Sequence, residues 1–326
     1  MIRYTALLAM LLTVVGTASA TVTRYPVHRV PTPPVIDGEV AQDPAWTLVP
    51  EATGFHVLGG GYTSAKQSTA RICWDEEALY VGFVAEEPDA ALLKPTTRDG
   101  GAPWGEDSIE VFLQPRPPSG QTYQLGVTAG GGQGSGEGHP DITQTTAAAR
   151  IGQSSYSIEL RVPWAVVAAR PQTGDKWRGT VCRNIFTTQS GGDKFTSLSP
   201  LQRQFLEPAN FAELVFTDQV LDAAGAARLT GELNAPYHRT LQQQVRELAA
   251  QRSEYEETLR SAVGDPTYGR EASALLQRWE ALAALAARLA QASTAEIRQS
   301  LAASRDLGKQ SHELKYRVLL KQLLLD

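Results

Sequence analysis

Residues 103–112 read Pro103-Trp104-Gly105-Glu106-Asp107-Ser108-Ile109-Glu110-Val111-Phe112. The first half is turn-forming, with a proline, a glycine and two acids. From Ser108 to Leu113 polar and apolar residues alternate, which predicts a strand with one face on a core. Glu110 therefore faces away from Ile109 and Val111. Trp104 follows Gly100-Gly101-Ala102-Pro103, a loop setting that favours an exposed ring. Asp107 is positioned to cap the turn into the strand.

Working outward, the same pattern recurs. Ala70 to Trp74 and Leu79 to Val84 flank the acidic turn Asp75-Glu76-Glu77 and predict a β-hairpin. Tyr156 to Val162 alternates as well, and Thr180 to Phe186 and Ala212 to Phe216 are further strand candidates. Many short strands separated by turns predict an all-β antiparallel sandwich of two jelly-roll-like sheets. Gly130 to Gly138 reads as a flexible loop or a hairpin tip. The remaining tryptophans Trp46, Trp74, Trp164 and Trp177 read as packing residues.

Composition then changes. All eight phenylalanines lie between Phe55 and Phe216, and of 28 glycines only five follow residue 220. The chain beyond is rich in Ala, Leu, Gln, Glu and Arg, a helical composition. Residues 21–217 are thus expected to form the sandwich and 218–326 an α-helical hairpin, bundle or coiled coil. Leu241, Val245, Leu248, Tyr255 and Leu259 trace a first helical seam, ended by Asp265-Pro266. Leu275, Trp279, Leu282, Leu285 and Leu289 trace a second. Ser293 to Glu296 fits a capping box ahead of a third helix through Ile297 and Leu301. That last region, residues 236–326, is the expected surface for self-association or a protein partner.

Residues 1–20 have a basic Arg3, an apolar run from Ala6 to Val15 and Ala18-Ser19-Ala20 at the end. This predicts a signal peptide cleaved after Ala20, with a secreted or periplasmic product. No later stretch is long and apolar enough to span a bilayer. A formal net charge of -5 and the lack of a basic cluster disfavour nucleic acid. Cys73 and Cys182 lie on predicted strands and are candidates for one disulfide, or for two separate buried thiols. His28, His56, His139, His238 and His312 are scattered, without a metal-binding spacing, and no nucleophile elbow is present. Nothing in these residues supports catalysis.

Four stretches in order resemble family 9 carbohydrate-binding modules and their DOMON-like relatives. They are Pro34-Val35-Ile36-Asp37-Gly38-Glu39 with Asp43-Pro44-Ala45-Trp46, then Arg71 to Val81, Pro103 to Phe112, and Phe205 to Leu214. The resemblance implies a β-sandwich that grips a sugar ring between aromatic side chains. It places Trp104 as one platform, Phe205 where a second aromatic sits, and Glu110 as the strand carboxylate that accepts from a hydroxyl. Asp107, Arg183 and Asn184 complete the expected carbohydrate site. Two departures are visible. Gln124-Leu125-Gly126-Val127-Thr128 holds no basic residue where the family often has one, and Phe205 stands in place of a tryptophan. Calcium often supports such sandwiches, and any site here would draw on distant residues. A haem module with a Met/His pair is disfavoured, because Met1 and Met10 both fall in the expected signal peptide. The expected function is a secreted, non-catalytic protein that binds a polysaccharide or oligosaccharide. The alternative is an interaction protein whose sandwich is a scaffold and whose helices bind the partner.

Overall fold

A computed structural model describes residues 22–59, 61–187 and 193–325. The expected signal peptide lies outside these residues. Thirteen strands precede the helices. They are β1 (Arg24–Arg29), β2 (Glu51–Ala52), β3 (His56–Val57), β4 (Ser68–Trp74), β5 (Ala78–Glu86), β6 (Ser108–Gln114) and β7 (Tyr123–Thr128). Then come β8 (Gln133–Ser135), β9 (Thr146–Ile151), β10 (Ser155–Pro163), β11 (Lys176–Asn184), β12 (Phe195–Ser197) and β13 (Ala212–Thr217).

The predicted hairpin is β4–β5, and β6, β10, β11 and β13 form where alternation placed them. The stretch from Gly130 to Gly138 holds the short strand β8, paired with β7. The strand order β8-β7-β6-β11-β13-β1-β4-β5-β10-β9 is one continuous hydrogen-bonded path. This corrects the purely antiparallel expectation at one strand, since β1 runs parallel to both β13 and β4. The edge of one half of the sheet is thereby joined to the other, and the strands wrap one main core, with smaller apolar clusters around Trp46 and around Phe112. Ile109, Val111, Leu125, Val127, Val181, Phe83, Tyr156, Ile158 and Phe216 fill it. Trp74, Trp164 and Trp177 cluster around Phe216 with edge-on and tilted rings 4.8–6.3 Å apart.

A buried carboxylate explains the Ile36-Asp37-Gly38 stretch and Trp46. Glu159 Oε2 accepts from the backbone N–H of Asp37 (2.9 Å) and Gly38 (2.7 Å), and Oε1 accepts from Trp46 Nε1 (2.6 Å). Glu159 pairs with Gly82 across β10 and β5. A Cβ at Gly82 would stand 2.9 Å from the Trp46 ring, so only glycine admits the indole there.

Five helices follow, where three were expected: α1 (Ala223–Ala250), α2 (Arg252–Ala262), α3 (Gly269–Ala287), α4 (Thr294–Ala303) and α5 (Leu307–Leu325). Asp222 caps α1 through the Gly225 N–H, so the helix starts well before the Leu241 seam and carries Pro236 inside it. The first expected helix divides at Gln251, and the third becomes α4 and α5. The capping box is half formed. Ser293 Oγ accepts from Glu296 N (3.2 Å), but the Glu296 carboxylate turns to Arg288 instead of back to Ser293. Tyr237, Leu241, Val245, Leu259, Leu275, Trp279, Leu285 and Leu314 make the helical core. The helices are docked on the strands. Thr230 and Asn234 of α1 accept from the backbone N–H of Glu51 and Thr53 at 2.9 Å each. Arg298 of α4 reaches both carboxylate oxygens of Glu86 on β5 at 2.5 Å. No described helix is long and apolar enough to cross a membrane.

Candidate carbohydrate site

Strand register decides which side chains share the outward face of β7, β6, β11 and β12. Residues paired across a ladder point to the same side. One row is Thr128, Ser108, Asn184 and Phe195; the next is Gly126, Glu110, Cys182 and Ser197; the third is Gln124, Phe112 and Thr180. Glu110 and Asn184, expected from sequence, are brought together here.

Glu110 is 4% exposed. Its Oε1 accepts from Asn184 Nδ2 (2.7 Å) and its Oε2 from Gln124 Nε2 (2.5 Å). Asn184 Nδ2 also donates to Ser108 Oγ (3.0 Å). Burial raises the Glu110 carboxyl above the ordinary glutamate value, while the two amide donors pull it partly back. Two of roughly four lone-pair directions on the carboxylate are taken, which leaves acceptor capacity in a fixed orientation. Gln124, in the stretch that holds no basic residue, donates to Glu110 as a neutral amide.

Trp104 is 38% exposed, on a short 3-10 turn at Pro103–Gly105. Its position rests on two glycines. A Cβ at Gly126 would stand 3.0 Å from the Pro103 ring, and one at Gly134 would stand 2.4 Å from it. Pro103 therefore lies flat on β7 and β8, and Trp104 is held beside it. The two acids after Trp104 act as staples. Glu106 accepts from the N–H of Thr96 and Thr97, each at 2.8 Å. Asp107 accepts from Phe186 N (3.2 Å), Thr187 N (3.1 Å) and Thr187 Oγ1 (2.9 Å). Asp107 thus ties the Trp104 turn to the segment leaving β11. Its capping role is long-range, where a local turn cap was expected.

Phe205 is half-buried among Phe112, Cys182, Leu201 and Phe211. It meets Phe195 edge-on at 5.9 Å, and Phe195 meets Phe186 at 6.5 Å. Phe186 and Phe195 are the more exposed rings, and Lys194 Nζ lies 5.4 Å from the Phe186 centroid. Beside Asn184 the aromatic surface is therefore Phe195 and Phe186, with Phe205 supporting them. Phe186, Phe195, Ser108 and Gln124 were missed from sequence. The signal for Ser108 was its parity with Glu110; for the others the signal is cross-strand pairing, which a single sequence does not display.

Arg183 corrects an expectation. Alternation on β11 turns it opposite to Asn184, toward the interior, where it is fully buried. Its Nη2 pairs with Glu87 at 3.0 Å, Lys66 Nζ reaches the other Glu87 oxygen at 2.6 Å, and the guanidinium lies over the Tyr156 ring. It does not share the face that carries Glu110. The disulfide is likewise corrected. Cys73 and Cys182 are both free and buried. Strands β13 and β1 separate β4 from β11, which at about 4.8 Å per strand puts the two thiols out of bonding range. Among the described residues no three His, Cys, Asp or Glu side chains gather to hold a metal ion.

The model of a family described as carbohydrate family 9 binding domain-like matches residues 36–218. A curated relative, endo-1,4-beta-xylanase A of Thermotoga neapolitana, is 28% identical over 145 residues, which is 43% of this chain and 13% of the relative. The same enzyme of Thermotoga maritima is also 28% identical over 145 residues, with the same coverage. The chain thus spans about an eighth of the length of the curated relatives it matches. Similar solved structures include two family 9 carbohydrate-binding modules from Caldicellulosiruptor kristjanssonii. The one in complex with cellotriose is 19% identical with a TM-score of 0.47, covering 60% of this chain and 94% of that one. The one in complex with glucose is 19% identical with a TM-score of 0.46, covering 60% and 96%.

Proposed function

The chain belongs to the carbohydrate family 9 binding domain-like family, and on that premise we propose that it is a non-catalytic binder of neutral oligo- or polysaccharides. The observation that carries this reading is the Glu110–Asn184–Gln124 cluster on strands that hold Pro103, next to the exposed Trp104, against β7 and pair with Phe195 at β12. A pyranose offers an apolar C–H face to an aromatic ring and equatorial hydroxyls to directed acceptors and donors. The cluster supplies a charged acceptor held in place by amides. In this reading the chain is exported by residues 1–20. The sandwich of residues 21–217 holds the sugar, and the helices of residues 218–326 mediate self-association or attachment. Linking sites in that way raises avidity without any new contact.

The relatives named as 1,4-beta-xylanases make xylo-oligosaccharides the first ligands to try, with cello-, manno- and galacto-oligosaccharides beside them. Calorimetric titration should give binding to at least one series, and Trp104→Ala should weaken it at least about tenfold with the fold intact. Binding untouched in Trp104→Ala would move the site elsewhere. A folded protein giving no heat with any sugar would replace this reading with the scaffold one.

A further inference from the structure

An open groove of about 700 Å3 runs between the loop of residues 62–65, Asp193 and the helices α1 and α4. Its lining includes neither Trp104 nor Glu110. Its volume is within the range of small-molecule sites.

One polar group on the groove wall lacks a partner. Ser64 is buried, and its Oγ makes no hydrogen bond among the described residues. A buried hydroxyl left unpaired costs free energy. Tyr237 on α1 also lines the groove, and burial pushes its phenol up to about 12, so it remains a neutral hydroxyl. Gln299 of α4 and Arg305 of the turn after it line the same space, and Tyr62 adds a half-exposed aromatic ring. The charges balance. Arg298 is paired with Glu86, and the other two charged residues of the lining, Arg305 and Asp193, are of opposite sign. Hydroxyls, an amide and an aromatic ring without net charge suit a neutral polyhydroxylated ligand better than an anion.

The groove neighbours the aromatic surface described above through Asp193. Asp193 accepts from Ala65 N (3.1 Å) and Tyr62 Oη (3.5 Å), and it lies two residues from Phe195. Strand β12, which begins at Phe195, pairs with both β11 and β3. We propose that this groove is a second saccharide subsite, walled on one side by the helices, that receives later units of a glycan chain whose first unit rests on the Trp104 face. The proposal rests on the carbohydrate reading and extends it. It gives the helical region a share in ligand recognition beyond tethering.

The test is titration of the full chain with a monosaccharide and with the matching oligosaccharides of increasing length. The parent should bind longer chains more tightly than the monosaccharide. Tyr62→Ala combined with Gln299→Ala should lose about tenfold in affinity for the long chains and leave the monosaccharide unchanged. Ala302→Trp, at an exposed position on the groove wall, should do the same by filling the space. Trp104→Ala should lose both. A parent without length dependence, or variants that keep it, would overturn the subsite while the Trp104 site stands. No binding of any sugar by the parent would overturn both.

Discussion

Asn184 donates to Glu110 at 2.7 Å although neither is the other's direct partner across β6 and β11. Asn184 lies opposite Ser108, and Glu110 lies opposite Cys182. The diagonal bond, with Gln124 on the other oxygen, fixes the carboxylate before any ligand arrives. Orientation settled in advance lowers the entropy lost on binding.

On the proposed reading, saccharide affinity should depend on pH. The folded-state pKa of Glu110 is raised by burial, so the folded protein holds that proton more tightly than the unfolded chain does. The contribution of Glu110 to stability is therefore greatest below the ordinary glutamate value of 4.5 and is lost as pH rises through the folded value. Binding runs the other way, because the ionised form is the stronger acceptor. Affinity should fall on acidification, beginning above pH 4.5, and Glu110→Gln should flatten the profile. Calorimetry across that range is the check, and a flat parent profile would remove Glu110 from the contact.

Gly126 controls Trp104 through Pro103. Valine at this position sets a side chain 3.0 Å from the proline ring and lifts the turn. Gly126→Val should cost about 1–3 kcal/mol of stability and reduce sugar affinity as far as Trp104→Ala does. Thermal melting paired with titration separates the two effects. Parent-like affinity in Gly126→Val would mean that the turn does not depend on this contact.

The Glu87 carboxylate sits fully buried between Arg183 and Lys66. Removing its charge leaves two buried cations without their main partner. Glu87→Gln should destabilise by about 3–5 kcal/mol, read from urea unfolding midpoints at constant slope. A loss well under 1 kcal/mol, the range of surface pairs, would contradict the buried placement.

Both cysteines are free thiols. Alkylation of the denatured, unreduced protein should modify two thiols, and the melting temperature should not respond to reductant. A protein that becomes alkylatable only after reduction would restore the disulfide.

Much of the β region was legible because it rests on local physics. The Ala70–Trp74 and Leu79–Val84 runs alternate around an acidic turn, and such a hairpin closes within a few residues. The outward direction of Glu110 followed from the same parity. The helical stripes were legible too, but their ends were not. Residues 241–259 keep one seam while the backbone divides at Gln251, and Pro236 is tolerated inside α1. Packing outweighs single-residue propensity at such places.

The sequence by itself determined the strand-rich and helix-rich parts, the two faces of β6, the exposed setting of Trp104 and the resemblance that points to sugars. Only the tertiary structure decided that β1 runs parallel between β13 and β4, that Arg183 turns inward while Asn184 joins Glu110, and that Phe186 and Phe195 present the aromatic surface. It also decided that the helices close a groove against residues 62–65. Alternation is a property of neighbouring residues and can be read along the chain. Register and docking join residues more than a hundred positions apart, and the burial of many side chains together selects them.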